Sequence, residues 1–437
     1  MVAYPRRQTM KIFDRYSGED IGDLEPDSHP EMVHEKVNEA LMLLKGMEKS
    51  EVATAFSSMS SIISHRKEEL SLLVSRETGK PVSYCIGDVD KASGIFRTLA
   101  AYCKRMSLRS DLKSKRGEIL SGKWTELRME GRPVVLNTIS GNAFLESSLY
   151  FGEMVLYGAP LIVNLEPVPS LAVRELSIMA SEAGFPPDII QQVGLDRERA
   201  FQEYNFPFIN SEFYHEDSPV LIMEDGDLDF ASEKVFEDMI TAGLYGSTRF
   251  NRLLIEESCL DYVKNRIDSM LKEAVFGDPR KDGTELPDRP IFTDASSASE
   301  IIPRSIIEGC RVIFGDVNRM SGLVGLDFQA GANKFQVTQK LKFPAFLFGG
   351  IGSYDQAERL LGWINNRFSL SVYTRDYNMA RMVSQRLDFQ FIEINDTFDP
   401  ILGFEEYTPD ILERISYPSY GKDAIPMKRW KNIMLRK

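Results

Sequence analysis

Three groups of residues carry side chains suited to chemistry. His215, Glu216 and Asp217 stand side by side in "FYHEDSP" and supply imidazole and carboxylate, the donor types of a divalent metal site. A lone histidine without a spaced second pair of ligands is the pattern of a solvated turn, so no metal is expected there. Lys340 and Lys342, with Arg249, offer positive charge to an anion. Alternating lysines at a strand edge also serve a plainer purpose, because their solvated charges discourage edge-to-edge pairing. The four cysteines, Cys85, Cys103, Cys259 and Cys310, form no C-x-x-C pair. That spacing argues against a disulfide framework or a structural zinc site and fits a reducing cytoplasm. Cys259 falls in a helical stretch and reads as a buried apolar residue.

These groups need elements to hold them. Apolar residues recur every three or four positions over 31–78, through "VNEALMLLKGM" and "FSSMSSIISHRKEELSLLVSRE", which predicts helix. A further helix is expected through "GDVDKASGIFRTLAAYCKRM". The stretch "EILSGKWTELRMEGRPVVLNTI" reads as a hairpin, broken by Gly122 and Gly131, that leads into a buried strand. Helix "FLESSLYFGEMVLYG", strand "PLIVNL" and helix "LAVRELSIMASEAG" follow, the last stopped by Gly184 and Pro186–Pro187. The alternation returns in "PVLIM", helix 229–242, "RLLIEE", helix 260–273, and "FPAFLF" with helix 355–366. Strands alternating with helices predict βαβ units and parallel sheets. The polar run "GDPRKDGTELPDRP" reads as a surface loop.

Size and charge narrow the function. A chain of 437 residues exceeds one compact core, so two or three domains are expected. Its formal net charge of −13 repels phosphate backbones, which argues against nucleic acid as a partner. No uncharged apolar run reaches the ~18 residues of a membrane span. The start, Met1 to Lys11, is basic but has no apolar signal segment. The tail "MKRWKNIMLRK" reads as an edge strand or docking arm.

Several segments, taken in order, resemble the aldehyde dehydrogenase superfamily. They are "IFDRYSGEDIGDLEP", "SRETGKP" with Asp88 and Asp90, "GAPLIVNLEP", "SEAGFPPDIIQQVG", "SPVLIMEDGDLD", "RLLIEES", "FGDP", "SVYTRDYNMARMVSQRL", "IEIND" and "YGKD". The resemblance covers nearly the whole chain. It implies an α/β fold with two Rossmann-like parallel-sheet lobes and a small oligomerisation element. Residues 1–117 and 131–212 would form a shortened cofactor-domain-like lobe, and 213–406 the catalytic-domain-like lobe. The hairpin at 118–130 and the arm at 407–437 would pair as the oligomerisation element. Such arms join dimers into larger assemblies in the family, which implies a homodimer or tetramer, with an active relative as a further partner.

The family's chemistry uses a cysteine thiolate that attacks an aldehyde, hydride transfer to a nicotinamide, and a glutamate-activated water that hydrolyses the thioester. A thiol ionises far more readily near neutral pH than a hydroxyl, and serine attacks only with an adjacent base. The stretch from Pro219 to Arg252 aligns without gaps and places Ser247, in "GLYGSTRFNRLL", at the nucleophile position. Phe213 falls at the base position and cannot accept a proton, while Glu212 and Glu216 flank it. A one-residue slip that would bring either into place points the side chain to the opposite face. The oxyanion position reads Gly141, with Asn142 next to it as either an oxyanion donor or a turn asparagine that caps the following helix.

The same alignment matches the cofactor positions poorly. Asn164 stands where the family has a lysine for the adenosine ribose, Pro167 replaces a glutamate, and Lys340 replaces the carboxylate that clasps the nicotinamide ribose. The family's phosphate-binding helix start should lie between Gly194 and Phe213, and that interval is too short for the usual passage. The expectation is an oxidoreductase scaffold without NAD(P)-dependent aldehyde oxidation and without a bound cofactor, acting as a structural or regulatory subunit. The alternative is an active oxidoreductase on an aldehyde or acyl substrate, binding NAD or NADP through non-standard contacts. Ser247 would then be nucleophile, Asn142 oxyanion donor, and Glu212 or Glu216 base.

Overall fold

The computed structural model describes residues 9–25, 30–105, 109–111, 126–128, 133–137, 143–156, 158–165, 170–194, 208–210, 218–241, 252–289, 303–315, 324–329, 331–338, 345–364, 367, 369–389, 391–396 and 433–435. An antiparallel hairpin comes first, β1 (Met10–Phe13) with β2 (Asp20–Leu24). Four helices follow: α1 (Pro30–Gly46), α2 (Lys49–His65), α3 (Lys67–Thr78) and α4 (Val82–Arg105). The periodic stretch 31–78 forms three helices. Local chemistry divides it. The Glu51 carboxylate accepts from the Glu48 backbone N–H at 2.7 Å and starts α2. Gly79, in the left-handed region at φ 75°, ends α3 where a side chain would be strained.

Strands β3 (Arg109–Asp111) and β4 (Glu126–Arg128) pair with each other, antiparallel. Next come β5 (Val134–Asn137), α5 (Ala143–Leu156), β6 (Leu161–Asn164), α6 (Leu171–Glu182), β7 (Ile190–Val193) and β8 (Phe208–Asn210). The four strands form a parallel sheet in the order β7-β6-β5-β8. Its two faces bury different partners. Leu136, Leu161 and Val163 join the large core formed with α2 to α6. Val135, Ile162 and Val193 pack on Val33 and Val37 of α1. A strand buried on both faces reads as a continuous apolar run, as "PLIVNL" does.

The second sheet is built from β9 (Val220–Ile222), β10 (Arg252–Glu256), β13 (Cys310–Phe314), β14 (Val324–Phe328), β15 (Ala345–Ile351), β16 (Ser369–Tyr373), β17 (Phe391–Ile394) and β18 (Ile433–Leu435). Between them lie α7 (Leu228–Thr241), α8 (Glu257–Glu273), the two-residue pair β11 (Phe276–Gly277) and β12 (Leu286–Pro287), α9 (Lys334–Thr338), α10 (Tyr354–Leu361) and α11 (Tyr377–Arg386). The strand order is β13-β14-β15-β10-β9-β16-β17-β18, parallel except for β13 with β14. This is the α/β architecture with two parallel sheets that the sequence predicts.

The strand described in the C-terminal arm, β18, pairs with β17. The open edge of β17 offers unpaired backbone groups, and β18 satisfies them. One expectation changes: the run 277–290 is more than a surface loop. Arg280 reaches Asp14 of the N-terminal hairpin at 3.2 Å, and the Pro279 carbonyl accepts from Val82 N–H at 2.8 Å.

Candidate functional site

In chain order the sequence-predicted positions flank strands of the two sheets. Ser247 lies between α7 and β10, Lys340 between α9 and β15, and Phe213 between β8 and β9; these three fall outside the described residues. In chain position they precede β10, β15 and β9, three adjacent parallel strands of the second sheet. Asn142 and Pro167 also fall outside the described residues, as do Glu212, His215, Glu216, Arg249 and Lys342. Asn142 directly precedes α5, and Pro167 follows β6. Of the expected site residues, only Asn164 is described. It is the last residue of β6 and is fully buried.

A buried polar cluster supports the entrance of the second sheet. Arg252, the first residue of β10, is among the largest fully buried side chains, and its Nε donates to the Gln336 carbonyl at 3.2 Å. Gln336, in α9, is itself buried. Its Nε2 donates to the carbonyls of Leu347 in β15 (3.2 Å) and Leu253 in β10 (3.4 Å). One amide thus fastens α9 across two neighbouring strands. Sequence reading missed both residues. An arginine opening an apolar strand, five positions after Ser247, was the available signal.

At the first sheet, register aligns three asparagines. Asn137 of β5 pairs with Asn164 of β6 on one side and with Asn210 of β8 on the other. Each is the last residue of its strand, at the carboxyl edge of the sheet. Strand order also reverses between β5 and β8, the switch point at which open α/β sheets bind ligands. The neighbouring start of α6 is already occupied. Ser170 caps it, its Oγ accepting from Val173 N–H at 3.2 Å. The Glu77 carboxylate, from the end of α3, accepts from Leu171 N–H, from Ala172 N–H at 3.1 Å and from Ser170 Oγ at 2.8 Å. Enclosure pushes the Glu77 carboxyl up to about 7, against the pull of these donors and of Arg15.

The four cysteines are free and buried, and burial raises Cys259 to about 11, so it is no thiolate near neutral pH. Among the described residues no cluster of three or more histidine, cysteine or acidic side chains is placed to hold a metal. No helix among them is long and apolar enough to cross a membrane.

Comparison with known proteins agrees with the architecture. Residues 3–203 match the model of the aldehyde dehydrogenase family. A lactaldehyde dehydrogenase of Methanococcus aeolicus is 20% identical over 433 residues, spanning 90% of this chain and 89% of that protein. An NAD-dependent benzaldehyde dehydrogenase from Corynebacterium glutamicum superposes with a TM-score of 0.77 at 15% identity, covering 92% of each chain. The NADP-dependent glyceraldehyde-3-phosphate dehydrogenase of Bacillus halodurans, complexed with NADP, gives 0.76 at 17% identity, over 90% of this chain and 88% of that one.

Proposed function

This chain belongs to the aldehyde dehydrogenase superfamily, and we propose that within it the protein is a pseudoenzyme, a structural or regulatory subunit that has kept the oxidoreductase scaffold without dinucleotide-dependent aldehyde oxidation. The observation that carries this reading is Asn164. It stands where a lysine is expected to hold the adenosine ribose, yet it is neutral and has no surface open to a ligand. Chain length adds support. Only nine residues, 211–219, join β8 to β9. β8 closes the first sheet and β9 opens the second within that interval, which is short for the helix–strand–helix passage that the family's phosphate-binding segment takes. These features do not fit NAD or NADP, and no reaction step is derived through either.

Ser247 at the nucleophile position and Phe213 at the base position belong to the same reading. A hydroxyl without a base does not attack a carbonyl at a useful rate. Residues 1–117 with 131–212 and residues 213–406 are taken as the two lobes, and the protein as a cytoplasmic homodimer or tetramer. Calorimetric titration with NAD and NADP, at concentrations able to detect millimolar binding, is expected to give no binding heat. Light scattering on the same preparation is expected to give two or four chains. Saturable binding together with hydride transfer from any aldehyde would overturn the catalytic part of the proposal, and a monomer would overturn the assembly part.

A further inference from the structure

We propose that Asp282 is a site of spontaneous covalent modification: its side chain closes on the Gly283 nitrogen and reopens as an isoaspartyl linkage, which lengthens the main chain. The sequence holds two Asp-Gly pairs, Asp225–Gly226 and Asp282–Gly283, and no Asn-Gly. The two pairs sit in opposite surroundings, and that contrast carries the proposal.

Asp282 and Gly283 form the centre of the turn from Lys281 to Thr284, and both are exposed. Gly283 takes φ 79°, and a Cβ there would meet nothing within 4 Å. No side chain of its own shields the nitrogen. Among the described residues, neither the Gly283 N–H nor the Asp282 carboxyl is held by a hydrogen bond or ion pair. The bond across the turn, from Thr284 N–H to the Lys281 carbonyl, is long at 3.4 Å. The peptide between the two residues is therefore free to swing in local opening.

At Asp225–Gly226 both partners are committed. Thr374 Oγ lies 2.9 Å from each Asp225 carboxylate oxygen, and one of these also accepts the Arg375 and Asp376 N–H groups at 3.1 and 2.8 Å. Gly226 is buried and donates its N–H to the Met223 carbonyl at 3.1 Å. The Tyr373 carbonyl oxygen stands 2.9 Å from where a Gly226 Cβ would be. Ring closure at this pair has to break all of these bonds first.

The reaction balances with water alone. The Gly283 nitrogen attacks Asp282 Cγ, a C–N bond forms, and the carboxyl OH leaves with the N–H hydrogen as water. The product is a five-membered imide. Attacker and carboxyl are joined through the chain, so the step is intramolecular. Water then adds to one imide carbonyl. Opening at Cγ restores aspartate. Opening at the main-chain carbonyl leaves the backbone running through Cβ and Cγ, one carbon longer. Nothing is oxidised or reduced.

The position gives the product a consequence. The Lys281 N–H and the Thr284 hydroxyl both donate to the Asp278 carbonyl, at 3.0 and 2.9 Å, and pin the two ends of the turn to one oxygen. An added backbone atom between them does not fit both bonds. The Asp278 carboxylate also holds Arg280, which reaches Asp14 of the N-terminal hairpin. Modification therefore loosens the loop where it meets the first part of the chain.

The test is incubation of the full chain at pH 7 and 37 °C for several weeks, followed by digestion and mass spectrometry. Electron-transfer fragmentation locates isoaspartate, and the imide is read as a peptide lighter by one water. In the folded protein the isoaspartyl fraction at 282 is expected to exceed that at 225 by about tenfold or more, because local opening is far easier at a loop tip than in a bonded region. In urea the two fractions are expected to converge. In Asp282→Glu, whose ring needs a sixth atom, the product at 282 is expected to vanish and that at 225 to stay the same. No isoaspartate at 282 in the folded protein, or equal fractions at both pairs before urea is added, would overturn the site. The Val82 amide, bonded to the Pro279 carbonyl at 2.8 Å, is expected to exchange faster in the modified chain. Unchanged exchange there would overturn the loosening.

Discussion

Glu153 is the residue whose burial has the clearest consequence. It sits in α5, a helix in which every residue from Ala143 to Leu156 is buried. Neither carboxylate oxygen has a hydrogen-bond partner among the described residues. Burial alone holds its carboxyl well above the ordinary range, so the folded chain keeps it as the neutral acid. In the unfolded chain it ionises near pH 4.3. The folded state thus holds the extra proton, and its stability is present below that value and lost as pH rises. Each pH unit costs about 1.4 kcal/mol until the folded group itself ionises. Glu153→Gln removes that dependence. Its amide is also without partners, so the slope is the diagnostic quantity and the offset is not. Urea denaturation of parent and variant from pH 5.5 to pH 8 is expected to give curves that diverge in the variant's favour. Parallel curves would mean that Glu153 has a partner or is open to water.

Among the elements, the packing of α9 on β10 and β15 depends on one missing side chain. Gly349 of β15 lies against the Gln336 amide, and a Cβ there would collide with that amide and approach Ala332 Cβ to 2.8 Å. Gly349→Ala is expected to destabilise by about 1–3 kcal/mol, because a tight core has no room for the added carbon. Adding Gln336→Ala removes the nearer obstacle and leaves Ala332 Cβ, so the pair should couple in a double-mutant cycle by about 0.5–3 kcal/mol. Additive losses in denaturant melts would show that the two do not meet. The strands themselves were legible in the sequence, because runs such as "RLLIEE" and "FPAFLF" are apolar and short. Their partners were not. Gln336 and Arg252 act through contacts more than 80 residues apart, and no local period marks such a pair. The expected site was legible as positions in an alignment, and these fall between periodic elements, where side-chain placement is set by packing at a distance. The helices over 31–78 illustrate the same limit. Their apolar stripe was visible, whereas the breaks rest on capping groups such as Glu51 and on Gly79.

At the scale of the molecule, the polar run 277–290 ties the second half of the chain to the first. The Asp14 side chain is completely enclosed. One oxygen receives Arg76 Nε at 3.0 Å and Arg280 Nη1 at 3.2 Å; the other accepts the Tyr16 and Ser17 N–H groups at 2.9 and 3.0 Å. Tyr16 continues the seam, donating to Asp288 at 2.9 Å beneath the Arg289 guanidinium, 4.1 Å above its ring. Burial alone would raise the Asp14 carboxyl, but the Ser17, Arg76 and Tyr16 donors and the charge of Arg280 hold it below the ordinary range. Its contribution is therefore present above that range and is lost as pH falls through its lowered value. Asp14→Ala strips four donors of their acceptor and leaves two guanidinium groups facing a cavity. A loss of about 1.5–3 kcal/mol at pH 7 is expected, the range for hydrogen bonds to a charged group. The difference between variant and parent should shrink as the pH is lowered towards 3, where the parent loses the same charge. Limited proteolysis adds a positional test. Cleavage within 278–289 should quicken in the variant while cleavage elsewhere does not. Equal stability at pH 7, or a loss independent of pH, would mean that apolar packing and not this carboxylate joins the N-terminal hairpin to the loop.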